Sequence, residues 1–420
     1  MSRHRLSALV LALALVCADD SARASNCSVT STGMIPLTDL GTGSYQGFQG
    51  GLYAGGSNTR PEAHGRAGLS IANSIVPLDT LGGSDPHGRV VIISIGMSNT
   101  TQEFSTFVPK AVADPQKRAE VLPIDCAKGG QAASDIADPN AAYWDTVYTR
   151  LRGHGSAPLQ PQVVWLKEAL RQPSSGFPAA TVTLQTYLGT IVRIIKQKLP
   201  NVRLCYLTSR IYAGYASSNL NPEPYAYESG FAVKWLIDQQ INGEPTLNYD
   251  PAIGPVEAPW LSWGPYLWAD GLHARNDGLT WSCSDFQSDG THPSTSGRNI
   301  VADSLLAFFR GEETAVPWYR VPVVAVAAAT TASDLAVAPT LAHGRVEISF
   351  TARSPWRIEI VDLAGRRVRD VARGQGDGVL DRVTWDLHDQ SGARVRSGAY
   401  WVRLDQDGRA AVRRVTVVGR

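Results

Sequence analysis

Residues 89–99 read Arg-Val-Val-Ile-Ile-Ser-Ile-Gly-Met-Ser-Asn, and this stretch decides the fold. Its apolar run does not alternate with polar residues, which is typical of a strand buried on both faces of a parallel sheet. Gly96 ends the run and Ser98 follows it. Ligands of such sheets bind outside the carboxyl ends of the strands, so a serine at this point is a candidate functional residue.

Similar apolar runs recur along the chain and are separated by helical patterns. The runs lie at 121–124, 163–166 and 202–207, and the helical patterns at 141–151, 179–199, 228–241 and 296–309. Strands that alternate with helices predict a parallel sheet covered by helices on both faces. We therefore predict a three-layer α/β/α sandwich over residues 89–319, preceded by an irregular, Gly- and Ser-rich segment at 25–88.

The C-terminal part of the chain has a different pattern. Residues 320–340 are rich in Ala, Val, Thr and Pro, which predicts a linker. Short alternating runs follow at 346–350, 356–362, 382–385, 400–404 and 412–418, with Gly-containing turns between them. This pattern predicts a small all-β sandwich over residues 341–420, Ig-like in size.

The composition excludes two classes of protein. Hydrophobic residues make up 43% of the chain and charged residues 18%, which excludes a disordered protein. The formal net charge is +1, whereas proteins that grip nucleic acid usually carry a strong basic excess. No nucleic-acid partner is expected.

The N-terminus has the pattern of a secretory signal peptide over residues 1–24. A basic start is followed by an apolar run at 6–16, which is too short to span a membrane, and Ala22 and Ala24 supply a small-residue cleavage site. We expect an exported protein without a membrane span. Removal of the signal peptide takes away Cys17 and leaves four cysteines. Four cysteines permit disulfides in three connectivities, and free buried thiols are the alternative. They are Cys27, Cys126, Cys205 and Cys283.

A serine nucleophile needs a base, and the sequence offers one in Asp289-Gly-Thr-His292-Pro. An Asp three residues before a His can share its turn, hold the imidazole tautomer and let the His take the serine proton. Because such triads are defined by geometry and not by chain order, Ser98, His292 and Asp289 are the predicted catalytic residues. The competing interpretation is structural, with Ser98 as a helix cap and Asp289 as a turn residue.

Two glycines follow the second strand, in Ala-Lys-Gly-Gly-Gln over residues 127–131. Glycine lets the backbone approach a ligand closely, so the N–H of Gly130, or of Gly129, is a candidate donor to a developing oxyanion.

Together these motifs resemble the SGNH (GDSL) hydrolase superfamily, closest to its carbohydrate-acetylesterase-like branch, over about residues 89–310. The resemblance implies an esterase that needs no cofactor and acts on a small-molecule or carbohydrate ester. It assigns Ser98 as nucleophile and first oxyanion donor, Gly130 as second donor, His292 as base and Asp289 as the group that orients it.

The chain departs from that family where Gly-x-Asn normally follows the third strand. Residues 163–169 read Val-Val-Trp-Leu-Lys-Glu-Ala instead. We expect the Lys167 side chain to enter the cleft and replace the missing oxyanion donor, with Asn99 as the alternative. The departure also leaves a second hypothesis open, a non-catalytic glycan-binding or cell-surface protein on a degenerate scaffold.

Candidate substrate-binding residues follow the fourth strand and precede the His loop. Arg210 and Tyr212 are predicted to border the cleft, where Arg210 would bind an anionic or polyhydroxylated substrate or pair with a neighbouring carboxylate. Asn99, beside the serine, is grouped with them. In the aromatic stretch at 260–281, Trp263 and Trp268 are predicted to stack on sugar rings, with core packing as the alternative.

Acidic residues in the same stretch raise the question of a metal site. Asp270, His273, Asp277 and Asp285 match none of the compact zinc or calcium spacings. No metal or other cofactor is therefore predicted.

The C-terminal module resembles the Ig-like FlgD-type repeat. The resemblance rests on Trp-Arg-Ile-Glu-Ile-Val-Asp at 356–362, Thr-Trp-Asp at 384–386, Ser-Gly at 391–392 and Ser-Gly-Ala-Tyr at 397–400. It implies a non-catalytic domain of an exported bacterial protein that attaches to the cell surface or to secretion machinery, with glycan binding equally open.

Overall fold

The computed structural model describes residues 24–321 and 335–419, except 353, 363–364 and 407–408. Residues 1–23 of the expected signal peptide and residues 322–334 of the expected linker lie outside this part of the chain. The chain divides into two compact units at residues 322 and 323.

The first unit contains both helices and strands. Its strands are β1 (Ser44–Tyr45), β2 (Phe48–Gln49), β3 (Val90–Gly96), β4 (Val121–Asp125), β5 (Pro161–Lys167), β6 (Leu204–Leu207) and β7 (Trp260–Trp263). Its α-helices are α1 (Leu37–Leu40), α2 (Glu62–Asn73), α3 (Ser98–Val112), α4 (Ala133–Ile136), α5 (Ala142–Gly153), α6 (Ala179–Lys198), α7 (Tyr225–Ile241), α8 (Thr295–Gly311) and α9 (Val316–Tyr319). Within the described ranges, no helix is both long enough and apolar enough to cross a bilayer.

A five-stranded parallel sheet forms the centre of this unit, in the order β4-β3-β5-β6-β7. Every residue of β3 and of β5 is buried, which explains why their sequences do not alternate. The predicted α/β/α class is confirmed. β4 lies on one side of β3, and the later strands β5, β6 and β7 lie on the other. Open α/β sheets bind their ligands at such a change in strand order, outside the carboxyl ends of the strands.

Two elements of this unit were not predicted from the sequence. The segment predicted to be irregular contains α2, whose Gly68 lies so close to Trp260 that a Cβ there would collide with the indole. Glycines let α2 pack closely against the sheet, but their low helix propensity obscured the helix in the sequence. The aromatic stretch contains β7, a fully buried strand at the sheet edge.

The N-terminal segment is fastened to the loops that precede His292. A disulfide joins Cys27 to Cys283, whereas Cys126 and Cys205 are buried free thiols. The Asp270 carboxylate accepts hydrogen bonds from the hydroxyls or backbone of residues 31–33 at 2.5–3.0 Å. These contacts hold the start of the described chain against residues 270–283.

The second unit is made of β-strands in two sheets. The strands are β8 (Ala336–Ala338), β9 (Leu341–Ala342), β10 (Val346–Thr351), β11 (Trp356–Val361), β12 (Arg367–Gly374), β13 (Leu380–Trp385), β14 (Gly398–Gln406) and β15 (Arg409–Val417). One sheet has the order β13-β10-β8 and the other β12-β11-β14-β15-β9, and all pairs are antiparallel except β15 with β9. Phe350, Ile360 and Val402 contribute to one hydrophobic core shared by both sheets. The predicted β class of this part is confirmed, but β8 shows that the expected linker was drawn too long.

Candidate active site

Ser98 is the first residue of α3, directly after β3. The turn between them requires glycine at residue 96, because a Cβ there would collide with the carbonyl oxygen of Lys167 at the end of β5. The Tyr143 hydroxyl accepts a hydrogen bond of 2.9 Å from the Gly96 N–H. The N–H groups of the first helical turn have no acceptor within the helix, so the backbone N–H of Ser98 is available to a ligand.

A chain of hydrogen bonds connects Ser98 to an acid. Ser98 Oγ lies 2.8 Å from Nε2 of His292, and Nδ1 of His292 lies 2.5 Å from Oδ2 of Asp289. The other carboxylate oxygen accepts the backbone N–H groups of Thr291 and His292 at 3.0 Å each. Burial acts to raise the pKa of Asp289, but the hydrogen bonds from His292 and Thr291 outweigh it and lower the pKa to about 2. The carboxylate is therefore ionised and holds the imidazole with Nε2 towards the serine.

The His loop is held against α3 and a neighbouring loop. Asn99 donates through Nδ2 to the carbonyl of Thr291 at 3.1 Å. Gly290 has a φ of +65°, and a Cβ there would collide with the carbonyl of Tyr215. Asn99 thus lies in the site as predicted, with its amide committed to positioning the loop that carries His292.

A cavity of about 180 Å³ opens beside Ser98 and His292. Residues that follow β3, β4, β5 and β6 line it, including Gly130, Arg171 and Arg210. The volume equals that of about six water molecules at ~30 Å³ each, which suits a small acyl group. A larger cavity of about 600 Å³, lined partly by Phe48 and Trp235, contains none of the predicted site residues.

The glycine loop after β4 lies against the serine. A Cβ at Gly129 would be 3.7 Å from Cβ of Ser98, and Gly130 lines the cavity with a φ of +74°. The Ser94 hydroxyl fixes the start of this loop by accepting the N–H groups of Cys126 and Ala127 at 3.0 and 3.2 Å. The predicted donors Ser98 and Gly130 therefore border the same cavity.

Lys167 does not enter the cavity, and the prediction that it supplies an oxyanion donor is wrong. Its ammonium is fully buried and binds both carboxylate oxygens of Glu103, on α3, at 2.6 Å. Burial lowers the pKa of Lys167 to about 8, while the Glu103 charge opposes the shift. An ammonium in the interior needs such a partner, and Glu103 supplies it away from the serine.

The predicted aromatic contacts to substrate are also wrong. Trp263 and Trp268 are buried, and their indole N–H groups donate to the carbonyl of Leu52 and to Glu223, at 2.8 and 2.7 Å. Tyr212 is buried and donates to the carbonyl of Val29 at 2.8 Å. All three side chains are covered by tertiary packing that no local pattern reveals, so they belong to the core.

Arg210 lies in the cavity wall as predicted, and two residues that sequence reasoning missed accompany it. Arg171 follows β5 and donates to the carbonyl of Gly130 at 2.8 Å and to the Asp135 carboxylate. Asn221 follows β6 in a left-handed conformation with a φ of +51°. Both lie beyond strand ends, so the rule that identified Ser98 and Arg210 would have found them if applied further along each loop.

Two of the acidic residues considered as metal ligands bind other groups of the protein. Asp270 binds the N-terminal segment, and Asp277 pairs with Arg275 at 2.6 Å. Among the residues that the structure describes, no group of three or more His, Cys, Asp or Glu side chains could hold a metal ion.

No family model matches the sequence, and no curated protein matches it either. Solved structures that are similar include a candidate acylhydrolase from Bacteroides fragilis, 13% identical over 59% of this chain and 96% of that chain, with a TM-score of 0.30. A lipopolysaccharide acetyltransferase periplasmic domain from Salmonella Paratyphi A is 14% identical over 58% and 94%, with a TM-score of 0.30.

A third similar structure is latent PorU from Porphyromonas gingivalis, 19% identical over 20% of this chain, with a TM-score of 0.18. This chain spans only 9% of the PorU chain. At TM-scores of 0.30 and below, these likenesses say nothing about what this chain acts on.

Proposed function

We propose that the first unit is a serine hydrolase that cleaves ester bonds through an acyl-enzyme on Ser98. The observation that carries the proposal is the unbroken hydrogen-bonded chain from Ser98 through His292 to Asp289. The small cavity that meets the serine at the carboxyl ends of the strands supports it further.

In this mechanism His292 acts first as base and then as acid. Nε2 accepts the Ser98 proton while Oγ forms a bond to the ester carbonyl carbon. The tetrahedral intermediate collapses when the C–O bond to the alcohol breaks, and the alcohol leaves with the proton from His292. Water then attacks the acyl-enzyme carbonyl carbon and gives a proton to His292. The bond between that carbon and Ser98 Oγ breaks, His292 returns the proton to Oγ, and the acid is released from free Ser98. The backbone N–H groups of Ser98 and Gly130 are the proposed oxyanion donors.

The proposal includes an acylated carbohydrate as substrate and an exported location. The substrate class rests on the resemblance to carbohydrate acetylesterases, since the buried indoles no longer offer a stacking platform. Export is supported by the N-terminal sequence pattern and by the Cys27–Cys283 disulfide, because disulfides persist in oxidising compartments. For the second unit we propose attachment to the cell surface or to secretion machinery, on its resemblance to FlgD-type repeats.

A fluorophosphonate probe and an ester assay test the serine mechanism together. The probe should label the wild-type protein and not Ser98→Ala, and turnover should fall by about 10³-fold or more in Ser98→Ala and His292→Ala. Asp289→Asn should cost less, because it removes only the group that orients the base.

Ser105→Ala is the matched control, since Ser105 is an exposed serine about two turns further along α3. Full turnover in Ser98→Ala would overturn the mechanism. A folded wild-type protein that neither reacts with the probe nor cleaves esters would favour the non-catalytic glycan-binding alternative. A screen for acetate release from acetylated polysaccharides then tests the carbohydrate substrate.

A further inference from the structure

Arg210 lies buried in the wall of the serine cavity, and two of its three guanidinium nitrogens have no hydrogen-bond acceptor among the described residues. The residue is 1% exposed, and the two nitrogens are Nε and Nη2. A buried guanidinium without an acceptor is strongly unfavourable in the free protein. Such a group is typical of a site that is completed by a ligand.

The carboxylates within electrostatic reach of Arg210 are bound elsewhere. Glu103 is held by Lys167, and Asp289 by His292. Glu223 accepts hydrogen bonds from Ala213 N, Tyr227 N and Trp268 Nε1 at 2.7–2.9 Å.

Glu168 is the fourth acid near Arg210. One of its oxygens accepts the Ala169 N–H at 3.1 Å and the other has no partner. Burial raises the pKa of Glu168 well above its usual value, which favours the neutral form of this carboxyl.

The described lining of the cavity contains no carboxylate, and its other cation, Arg171, is already paired with Asp135. One unpaired guanidinium matches one monoanionic, planar group, because its fork geometry fits a carboxylate bidentately. We propose that Arg210 binds a carboxylate of the substrate, so that the ester cleaved at Ser98 is one that carries a carboxylate close to the scissile bond. This inference rests on the proposed serine hydrolase function.

A second unsatisfied group in the same cavity narrows the substrate class. The side-chain oxygen of Asn221 is buried and has no donor among the described residues. A hydroxyl beside the carboxylate would satisfy it, so the pair of groups fits a hydroxylated acid such as an acylated uronic acid. A half-ester of a dicarboxylic acid would present the same carboxylate from the acyl side.

Paired substrates test the proposal and separate these two sources. O-acetylated glucuronate is compared with O-acetylated glucose, and 4-nitrophenyl hemisuccinate with 4-nitrophenyl butyrate. In one of the two pairs the wild-type enzyme should prefer the anionic member by about tenfold or more in kcat/KM, mainly through KM, because the carboxylate is bound in the ground state as well as the transition state. Which pair shows the preference identifies the side of the ester that carries the acid.

Arg210→Met should abolish the preference, because it should lower kcat/KM for the anionic ester by about tenfold or more beyond any loss on the neutral ester of the same pair. Arg210→Lys keeps the charge without the fork and should retain part of the preference. Arg66→Met removes an exposed arginine on α2 that pairs with Glu62, and it should leave the preference intact. An equal loss of kcat on neutral and anionic esters in Arg210→Met would overturn the proposal and make Arg210 an oxyanion donor.

A binding experiment separates failure of this inference from failure of the serine mechanism. Titration calorimetry on Ser98→Ala should detect glucuronate but not glucose, or succinate but not butyrate, and Ser98→Ala with Arg210→Met should bind none of them. If the serine mechanism fails but the acid binds through Arg210, the anion site stands. If neither acid binds at millimolar concentration and the wild-type enzyme shows no preference, the proposal is overturned.

Discussion

Two buried cations lie at the ends of neighbouring strands, and they differ in whether an acid binds them. Lys167 ends β5 and grips both oxygens of Glu103, whereas Arg210 follows β6 with Nε and Nη2 unpartnered. Both are almost completely inaccessible to solvent. The two positions differ because a neighbouring helix supplies an acid for Lys167, whereas no described group accepts a hydrogen bond from Nε or Nη2 of Arg210.

The helix that begins at Ser98 decides this difference. At about 100° per residue, Glu103 and Ser98 lie on different faces of α3, so the acid meets Lys167 away from the cavity. No described carboxylate lines the cavity on the Arg210 side. Substitutions at Lys167, His64 and Arg210 should therefore differ in their effect on stability.

Lys167→Met should have the largest effect on stability. It leaves the Glu103 carboxyl buried without its partner and should lower the free energy of unfolding by about 3–5 kcal/mol, measured by urea denaturation at pH 7. Adding Glu103→Leu should restore most of the loss, because an apolar pair of similar volume is close to neutral in place of a buried ion pair. A loss below about 1 kcal/mol in the single variant would mean that the pair does not matter for folding.

His64 shows a third way to bury a basic group, which is to give up its proton. Burial lowers the pKa of His64 to about 4, and Nε2 lies 2.8 Å from the carbonyl oxygen of Leu261. In the unfolded chain the pKa is about 6.5, so the unfolded state takes up the proton first as the pH falls. The stability that His64 contributes is complete above pH 6.5 and is lost between 6.5 and about 4, by roughly 3 kcal/mol.

His64→Gln keeps a donor for the Leu261 carbonyl and should remove that part of the pH dependence. Urea denaturation of wild type and variant at pH 7 and pH 4.5 measures it, since the other titrating groups are common to both. Parallel pH profiles for the two proteins would show that His64 is not held neutral in the folded state.

Arg210→Met should have the smallest effect on stability. Removing a charge without a partner releases its desolvation cost, so the free energy of unfolding should stay within about 1 kcal/mol of wild type or rise. Thermal or urea unfolding beside Lys167→Met checks this. A loss as large as that of Lys167→Met would make Arg210 a structural cation and remove the contrast between the two strand ends.

The sequence predicted the central sheet because β3 and β5 are buried on both faces, and strands buried in this way have unbroken apolar sequences. It also predicted the short-range partners of the site, since Asp289 and His292 share one turn. What it missed depends on packing between distant segments. The orientation of Lys167 depends on Glu103, and the burial of Tyr212 depends on the N-terminal segment.

The cysteines show the same limit. Four of them allowed three connectivities, and only the contact between the N-terminal segment and the loop at Cys283 selects Cys27 as its partner. The tryptophans of the 260–281 stretch show it too. Tryptophan is frequent both in cores and in binding sites, so only the burial of these side chains shows that they belong to the core.

The disulfide has a consequence for the order of events during translation. Ribosomes make the chain from its N-terminus. Cys283 is therefore added 256 residues after Cys27, and His292 is added 194 residues after Ser98. The same short piece of chain, residues 283–292, completes both the crosslink and the hydrogen-bonded site. A nascent or prematurely terminated chain that lacks this piece carries a serine without its base. On the proposed mechanism, hydrolytic activity therefore begins only when synthesis of the first unit is nearly finished, and incomplete translation products are inert.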